Sequence, residues 1–381
     1  MSVAQLCNYY PKYSYLDDVL SVTKKNQLNL FIDLKGCMQS LFQEWAVKQI
    51  VFQSEGTQVA DSSPFLSVLE FISFHKIYCQ KRDIPLKMYI FLESGKSSYH
   101  KDVHKDYKAN RATSDFFGLD DGQRDLFTKV LDKNYQIVSN VGNKIPDVTV
   151  IRLKYLEADF VPYYIMKYAI PESVAESTNI VYSTDKDMLQ CLYADNIFQF
   201  YRHYKKIVML DQKTAYTHFL KYDPGWDLGI EWFPMVLSII GDDADGFKGV
   251  HGVGLKTIRN VMDEVKILCG GSMQQVYDNI HNKKPIFDTK YDVKSTPLKK
   301  ILKSEDIVVR NLKLASYQLL CDYVNNGYPL AAAEFKKQMD DTISNTNKMT
   351  KAVVLYNALN NAGMGGIISE STISNLFIGH E

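Results

Sequence analysis

The sequence predicts an α/β protein: a central, mostly parallel sheet flanked by helices, followed by a helical part. Three observations carry this. Short apolar runs alternate with stretches of helical spacing as far as about residue 211. The runs are apolar throughout, as expected of strands buried on both faces. From about 212 onward the strand-like runs stop and the pattern turns helical.

The elements follow in order. "LNLFIDL" (28–34) reads as a buried strand and "SLFQEWAVKQIVF" (40–52) as a helix. "SPFLSVLEFISFHKIY" (63–78) is a helix opened by Ser-Pro, and "LKMYIFLE" (86–93) is the second strand. Residues 94–145 are polar and basic, with no strand-like apolar run. "DVTVIRL" (147–153) is the third strand and "EADFVPYYIMKYAI" (157–170) a helix with Pro162 near its start. "NIVYS" (179–183) is the fourth strand, "DKDMLQCLY" (185–193) a short helix, and "NIFQFY" and "KIVML" two more strands. The chain thus divides into a core at 1–211, a helical part at 212–340 and a tail at 341–381. The tail is rich in Asn, Ser, Thr and Gly, and is expected to be loosely packed.

Composition narrows the class. The chain has 381 residues, 46% of them hydrophobic, enough for one large domain or two modest ones. No apolar run is long enough to span a membrane, and the first residues lack a secretory pattern. The six cysteines form no C-x-x-C pair, so neither a zinc site nor a disulfide framework is indicated, and a reducing cytoplasm is expected. Net charge is zero, which argues against a general nucleic-acid binder. The charge is segregated, however: bases crowd 96–111 and acids gather where strands end.

Asp33 closes the first strand and Glu93 the second. Glu157 and Asp159 follow the third, Asp185 and Asp187 the fourth. Asp242 and Asp245 follow "IEWFPMVLSII". In an open α/β sheet, ligands bind outside the carboxyl ends of the strands. Eight carboxylates on one rim repel one another, and a pair of Mg²⁺ or Mn²⁺ ions is the expected counter-charge. Two such ions can activate a water and stabilise a leaving phosphodiester oxygen. The blander reading of any single acid is a helix cap or a solvated loop residue.

Two further stretches bear on ligands. In "KSSYHKDVHKDYKANR", Lys101, Lys105 and Lys108 recur at i, i+4 and i+7, with Arg111 three later, and would share one helix face. His100 and His104 lack the H-E-x-x-H context of a zinc helix. In "GVHGVGLKTIRN", Gly249, Gly252 and Gly254 allow a tight hairpin. Lys256 and Thr257 then open a helix whose N-terminus suits a phosphate.

Taken in order, these motifs resemble the 5′-nuclease or flap-endonuclease superfamily, with its PIN-like core, and the phage 5′→3′ exonucleases and phage ribonuclease H in particular. "YKANR" resembles Y-K-x-N-R, "EAD" the family's E-A-D-D, "STDKD" its S-x-D-x-D, and "GDDADGFKGVHGVG" its glycine-rich G-D-x-x-D motif. The resemblance runs from about 28 to 270. It implies a helical arch at about 94–145 that admits a single-stranded 5′ end. Lys108 and Arg111 would contact the scissile phosphate, Tyr107 would stack on a base, and Lys101 and Lys105 would touch nucleic acid. It also implies a helix–hairpin–helix at about 240–270 gripping duplex DNA, with a K⁺ ion on its carbonyls. Of the metal ligands, it makes Asp159 the bridge, with Glu93 on one ion and Asp185 and Asp187 on the other.

Three departures stand out. Glu93 replaces the usual Asp, Phe160 the last acid of E-A-D-D, and Leu34 a small residue. The implied substrates are 5′ flaps, nicked duplexes or the RNA of RNA–DNA hybrids, in a phage-infected host cytoplasm if phage-encoded. The implied partners are a sliding clamp, docked by "SNLF" near the C-terminus, or a single-strand-binding protein. The rival readings are a PIN-type ribonuclease, which usually lacks the hairpin and Y-K-x-N-R, and a non-catalytic junction-binding scaffold.

Overall fold

The computed structural model describes residues 14–34, 63–92, 98–109, 121–152, 156–203, 206–215, 228–326, 330–345, 351–366 and 368–378. The expected helix at 40–52 lies outside them. The main sheet contains β1 (Leu28–Asp33), β2 (Leu86–Leu92), β3 (Val148–Arg152), β4 (Thr178–Tyr182), β5 (Ile197–His203) and β6 (Lys206–Leu210), in the order β3-β2-β1-β4-β5-β6. All neighbours are parallel except β5 and β6. The order reverses between β1 and β4, where Ile32 pairs with Tyr182. Chain connections diverge at such a switch point and leave a crevice at the strand ends.

The apolar runs fill two cores. Leu28, Leu30 and Ile32 of β1, with Met88 and Ile90 of β2, point into one, and Phe31, Tyr89 and Phe91 into the other. The first core is covered by α1 (Ser14–Thr23), α2 (Ser63–Gln80) and, after α3 (Ser98–Val103), by α4 (Asp121–Gly142). The second face carries α5 (Val161–Tyr164), which runs into a π-type turn at Ile165–Ala169, and α6 (Pro171–Glu176). Pro162 sits in the first turn of α5, where its missing N–H is harmless.

The helical part packs against this same face. It comprises α7 (Phe233–Ile240), α8 (Leu255–Leu268), α9 (Met273–His281), α10 (Thr296–Lys303), α11 (Glu305–Ala315), α12 (Tyr317–Asn325) and α13 (Leu330–Asn345). Between α7 and α8 lies a small antiparallel ribbon, β7 (Gly241–Asp242) and β8 (Phe247–Lys248). Among the described residues, no helix is long and apolar enough to cross a membrane.

The tail corrects the expectation of loose packing. It forms α14 (Ala352–Asn361) and α15 (Glu370–Leu376), and α15 lies on α2. The reason is visible in α2, which is apolar nearly all round and needs cover on its outer side as well as from the sheet. Leu376 and Phe377 supply it, while Leu355 and Leu359 of α14 enter the same core against α4, with Met364 beside them, and all five are buried. Leu376 and Phe377 are therefore committed to the core, not presented to a clamp. Leu376→Ala is expected to destabilise the chain by about 2–4 kcal/mol, read as a lowered denaturant midpoint. An unchanged midpoint would return the tail to the role of a docking peptide.

Candidate metal centre

The site forms at the sheet's switch point, and polar contacts fix its backbone first. Ser183, just past β4, donates to Asp33 Oδ2 at 2.8 Å and accepts from the Asp185 amide at 3.1 Å. Asp185 caps the 3-10 helix Lys186–Cys191, accepting from the Asp187 amide at 3.0 Å. Gln199 of β5 holds the same loop, donating to the carbonyls of Ser183 and Asp185 at 3.1 and 2.8 Å. The cap reading of Asp185 is thus correct, and the cap aims Asp187. Of these holders, Gln199 carried no signal in the sequence.

The remaining acids arrive from two other segments. Asp242 lies in β7 and accepts from the Ala244 amide at 3.0 Å, and Asp245 follows in the turn. One carboxylate oxygen each from Asp187, Asp242 and Asp245 lies within 4.8 Å of the others. Glu157 and Asp159 come from the turn between β3 and α5. Glu93 and Arg111 lie outside the described residues. Phe160 is fully buried and stacks on Phe335 with ring centroids 5.4 Å apart. Its side chain belongs to the core.

Lysines enter the cluster as counter-charges. Lys108 Nζ lies 2.7 Å from Glu157 Oε2 and 3.7 Å from Asp245 Oδ1, and its amide donates to the Asp245 carbonyl at 2.9 Å. Lys186 pairs with Asp242, a partner brought in from a distant segment. The Tyr107 hydroxyl reaches Glu157 and Asp245, each at 3.2 Å.

This arrangement corrects two expectations. Lys101, Lys105 and Lys108 do not share a helix face: α3 ends at Val103, and Lys108 adopts φ 55°. Lys101 and Lys105 stay exposed while Lys108 turns inward. Tyr107 is not free to stack on a base. Its ring is buried and stacked on His100, with centroids 4.6 Å apart. Tertiary contacts of ring and hydroxyl outweigh the helical spacing.

The charges respond to burial and to one another. Burial, then Glu157, Asp185 and Asp187, push Asp159 well above the usual carboxylate range. Burial, then Asp185, Asp245 and Asp242, do the same to Asp187. Burial also works to raise Glu157, but protonated His100 and Lys108 lower it, and the net direction is down. Burial lowers His100 to about 4, so at neutral pH Lys108 is the charge that acts. Lys108 itself is raised: burial opposes its charge, and Asp159, Glu157 and Asp245 outweigh burial.

The residues fit a hard divalent cation. The donor set is carboxylate throughout, as Mg²⁺ and Mn²⁺ prefer. Buried Asp187 Oδ1 has no hydrogen-bond partner. Two carboxyls held above their normal range also mark a site short of positive charge.

The glycine segment follows the ribbon. Gly249 lies so close to the Ile239 and Ile240 backbone that a Cβ would overlap it, and the Val250 amide donates to the Ile239 carbonyl at 2.7 Å. Gly252 turns the chain at φ 73°, and a Cβ there would meet Lys300 Nζ at 2.9 Å. Gly254 precedes α8 without a side-chain cap, and a Cβ there would meet nothing within 4 Å. Lys256 is exposed and Thr257 half-buried in the first turn.

No family model and no curated protein matches the chain. Solved structures do. A bacteriophage T5 flap endonuclease, solved as a pseudo-enzyme–product complex with DNA and metal ions, is 17% identical with a TM-score of 0.59. That match covers 84% of this chain and 100% of the other. The T5 5′-exonuclease with bound zinc is 18% identical with a TM-score of 0.56, covering 84% and 100%. The chain therefore shares the fold of these phage T5 5′-nuclease structures.

Proposed function

We propose that the chain is a metal-dependent, structure-specific 5′-nuclease that hydrolyses phosphodiesters at 5′ flaps, nicks or RNA primers during replication or repair. The observation that carries this is the convergence of Asp187 with Asp242 and Asp245, from two separate segments, at the switch crevice. Asp187, Asp242 and Asp245 would hold one ion. Asp159, Glu157 and Asp185, with Asp33 and Glu93 from the strand ends, would complete the set. Two bound Mg²⁺ or Mn²⁺ ions supply positive charge to the attacking water and the leaving oxygen.

The chain's own residues do the rest. Tyr107 orients Glu157 and Asp245 through its hydroxyl. Lys108, already among the carboxylates, offsets the negative charge that develops on the scissile phosphate, and Arg111 of the same segment assists. Lys101 and Lys105, both exposed, would contact the passing single strand. Gly249, Gly252 and Gly254 shape a hairpin whose open edge, with Lys256, Thr257 and the α8 N-terminus, receives a duplex phosphate. A K⁺ ion on the hairpin carbonyls would belong to the same contact. The complex of the T5 flap endonuclease with DNA and metal ions supports this reading.

A labelled 5′-flap duplex and an RNA–DNA hybrid, incubated with Mg²⁺ and separately with EDTA, test it. Short 5′ products are expected with Mg²⁺ alone. Binding without cleavage under all conditions would leave the scaffold reading in its place.

A further inference from the structure

Tyr317 opens α12. Its amide donates to Gln190 Oε1 at 3.0 Å, and Gln190 Nε2 donates to the Ala315 carbonyl at 2.9 Å. Gln190 belongs to the 3-10 helix that carries Asp187, so α12 and this helix are joined as one support. The side chain then shows an anomaly. Tyr317 is only 5% exposed, and its hydroxyl has no hydrogen-bond partner. A buried hydroxyl without a partner is costly and calls for a reason.

Its surroundings supply one. The carboxylates of Asp159, Asp185 and Asp187 lie near enough to act on the phenol, and a phenol carries its proton at neutral pH. It is therefore a donor. Asp187 Oδ1, an acceptor of the same site, also has no partner. A buried donor and a buried acceptor, neither partnered, thus stand on segments that Gln190 ties together.

We propose that Tyr317 is a positioning residue of the metal centre, donating its hydroxyl hydrogen to a water that the loaded carboxylates hold in place. This rests on the metal-dependent reading above. Tyr163 packs against the ring of Tyr317, with centroids 6.0 Å apart. The hydroxyl would order the ion's surroundings rather than touch the reacting atoms. Groups one shell out from a metal commonly change its affinity by about 10- to 100-fold.

The test uses full-length wild type and Tyr317→Phe, with Mn²⁺ as the probe. Free Mn²⁺ is followed by electron paramagnetic resonance, and melting is followed in EDTA. Tyr317→Phe should bind Mn²⁺ about 10-fold more weakly. Its melting temperature in EDTA should be equal to or above that of wild type, because the substitution removes only an unsatisfied group. Mn²⁺ affinity unchanged within about two-fold would overturn the proposal, since it predicts a shift several times larger. So would a lowered melting temperature in EDTA, which would make the hydroxyl a structural group of the core. If wild type itself binds no Mn²⁺, the metal-dependent reading falls and takes this one with it. If only the Tyr317→Phe comparison fails, the metal-dependent reading stands.

Discussion

Asp187→Asn is expected to slow cleavage of a 5′-flap duplex by roughly 10³-fold or more, because a lost ion forfeits several kcal/mol of charge stabilisation. Duplex binding should survive, since the hairpin and Lys256 are untouched. The metal-free fold should not suffer either. Burial and three neighbouring carboxylates hold Asp187 above its normal range. With the folded value above the unfolded one, the folded state binds more protons between them, so stability falls as pH rises through that window. An amide cannot ionise and escapes this loss. The melting temperature in EDTA at neutral pH should therefore stay level or rise. Added Mg²⁺ should stabilise wild type more than the variant, because ligands stabilise only the state they bind. A variant that cuts at the wild-type rate under saturating substrate would remove Asp187 from the metal site.

The sheet was legible because its strands are buried on both faces. "LNLFID" and "LKMYIFL" are continuous apolar runs, and such runs demand helices on either side. The acids at the ends of those runs marked the rim. Strand order was not legible. Nothing in β1 or β4 announces that they are neighbours, because register depends on the crossovers and on the two cores they enclose. The tail misled for a related reason. Its Asn, Ser and Thr content suggested looseness, whereas Leu355 and Leu359 against α4, and Leu376 and Phe377 against α2, decide its fate.

Within the site, local turn chemistry was readable and long-range pairing was not. "STDKD" contains its own cap, with Ser183 and Asp185 folding the segment onto itself. The Lys186–Asp242 pair spans fifty-six positions and needs the ribbon to form before the two side chains meet. The spacing of Lys101, Lys105 and Lys108 gave a false helix. Periodicity registers which residues could share a face, but Tyr107 gains a stacked ring from His100 and two carboxylate acceptors by leaving that helix.

Lys108→Ala is expected to slow single-turnover cleavage by roughly 10²-fold, the scale for losing one group that offsets developing charge. Its effect on the metal-free fold should be opposite to that of Asp187→Asn. Lys108 and Glu157 are 21% and 12% exposed at their side chains, so their pair is largely removed from water. Deleting one partner of such a pair leaves an uncompensated charge and costs about 3–5 kcal/mol. Here the stranded charges are Glu157 and Asp245, beside carboxylates already held above their range. The melting temperature in EDTA should fall, and Mg²⁺ should recover most of the loss by replacing the ammonium as counter-charge. Backbone strain does not confuse the result, because φ 55° is as uncommon for alanine as for lysine. Lys108→Arg keeps the charge and should preserve the fold in EDTA, while its different geometry still slows cleavage. Equal losses of affinity and turnover in Lys108→Ala would make Lys108 a general phosphate contact, not a group acting on the transition state. Unchanged stability in EDTA would show that the carboxylates do not need its charge, and the balance between lysine and metal would have to be abandoned.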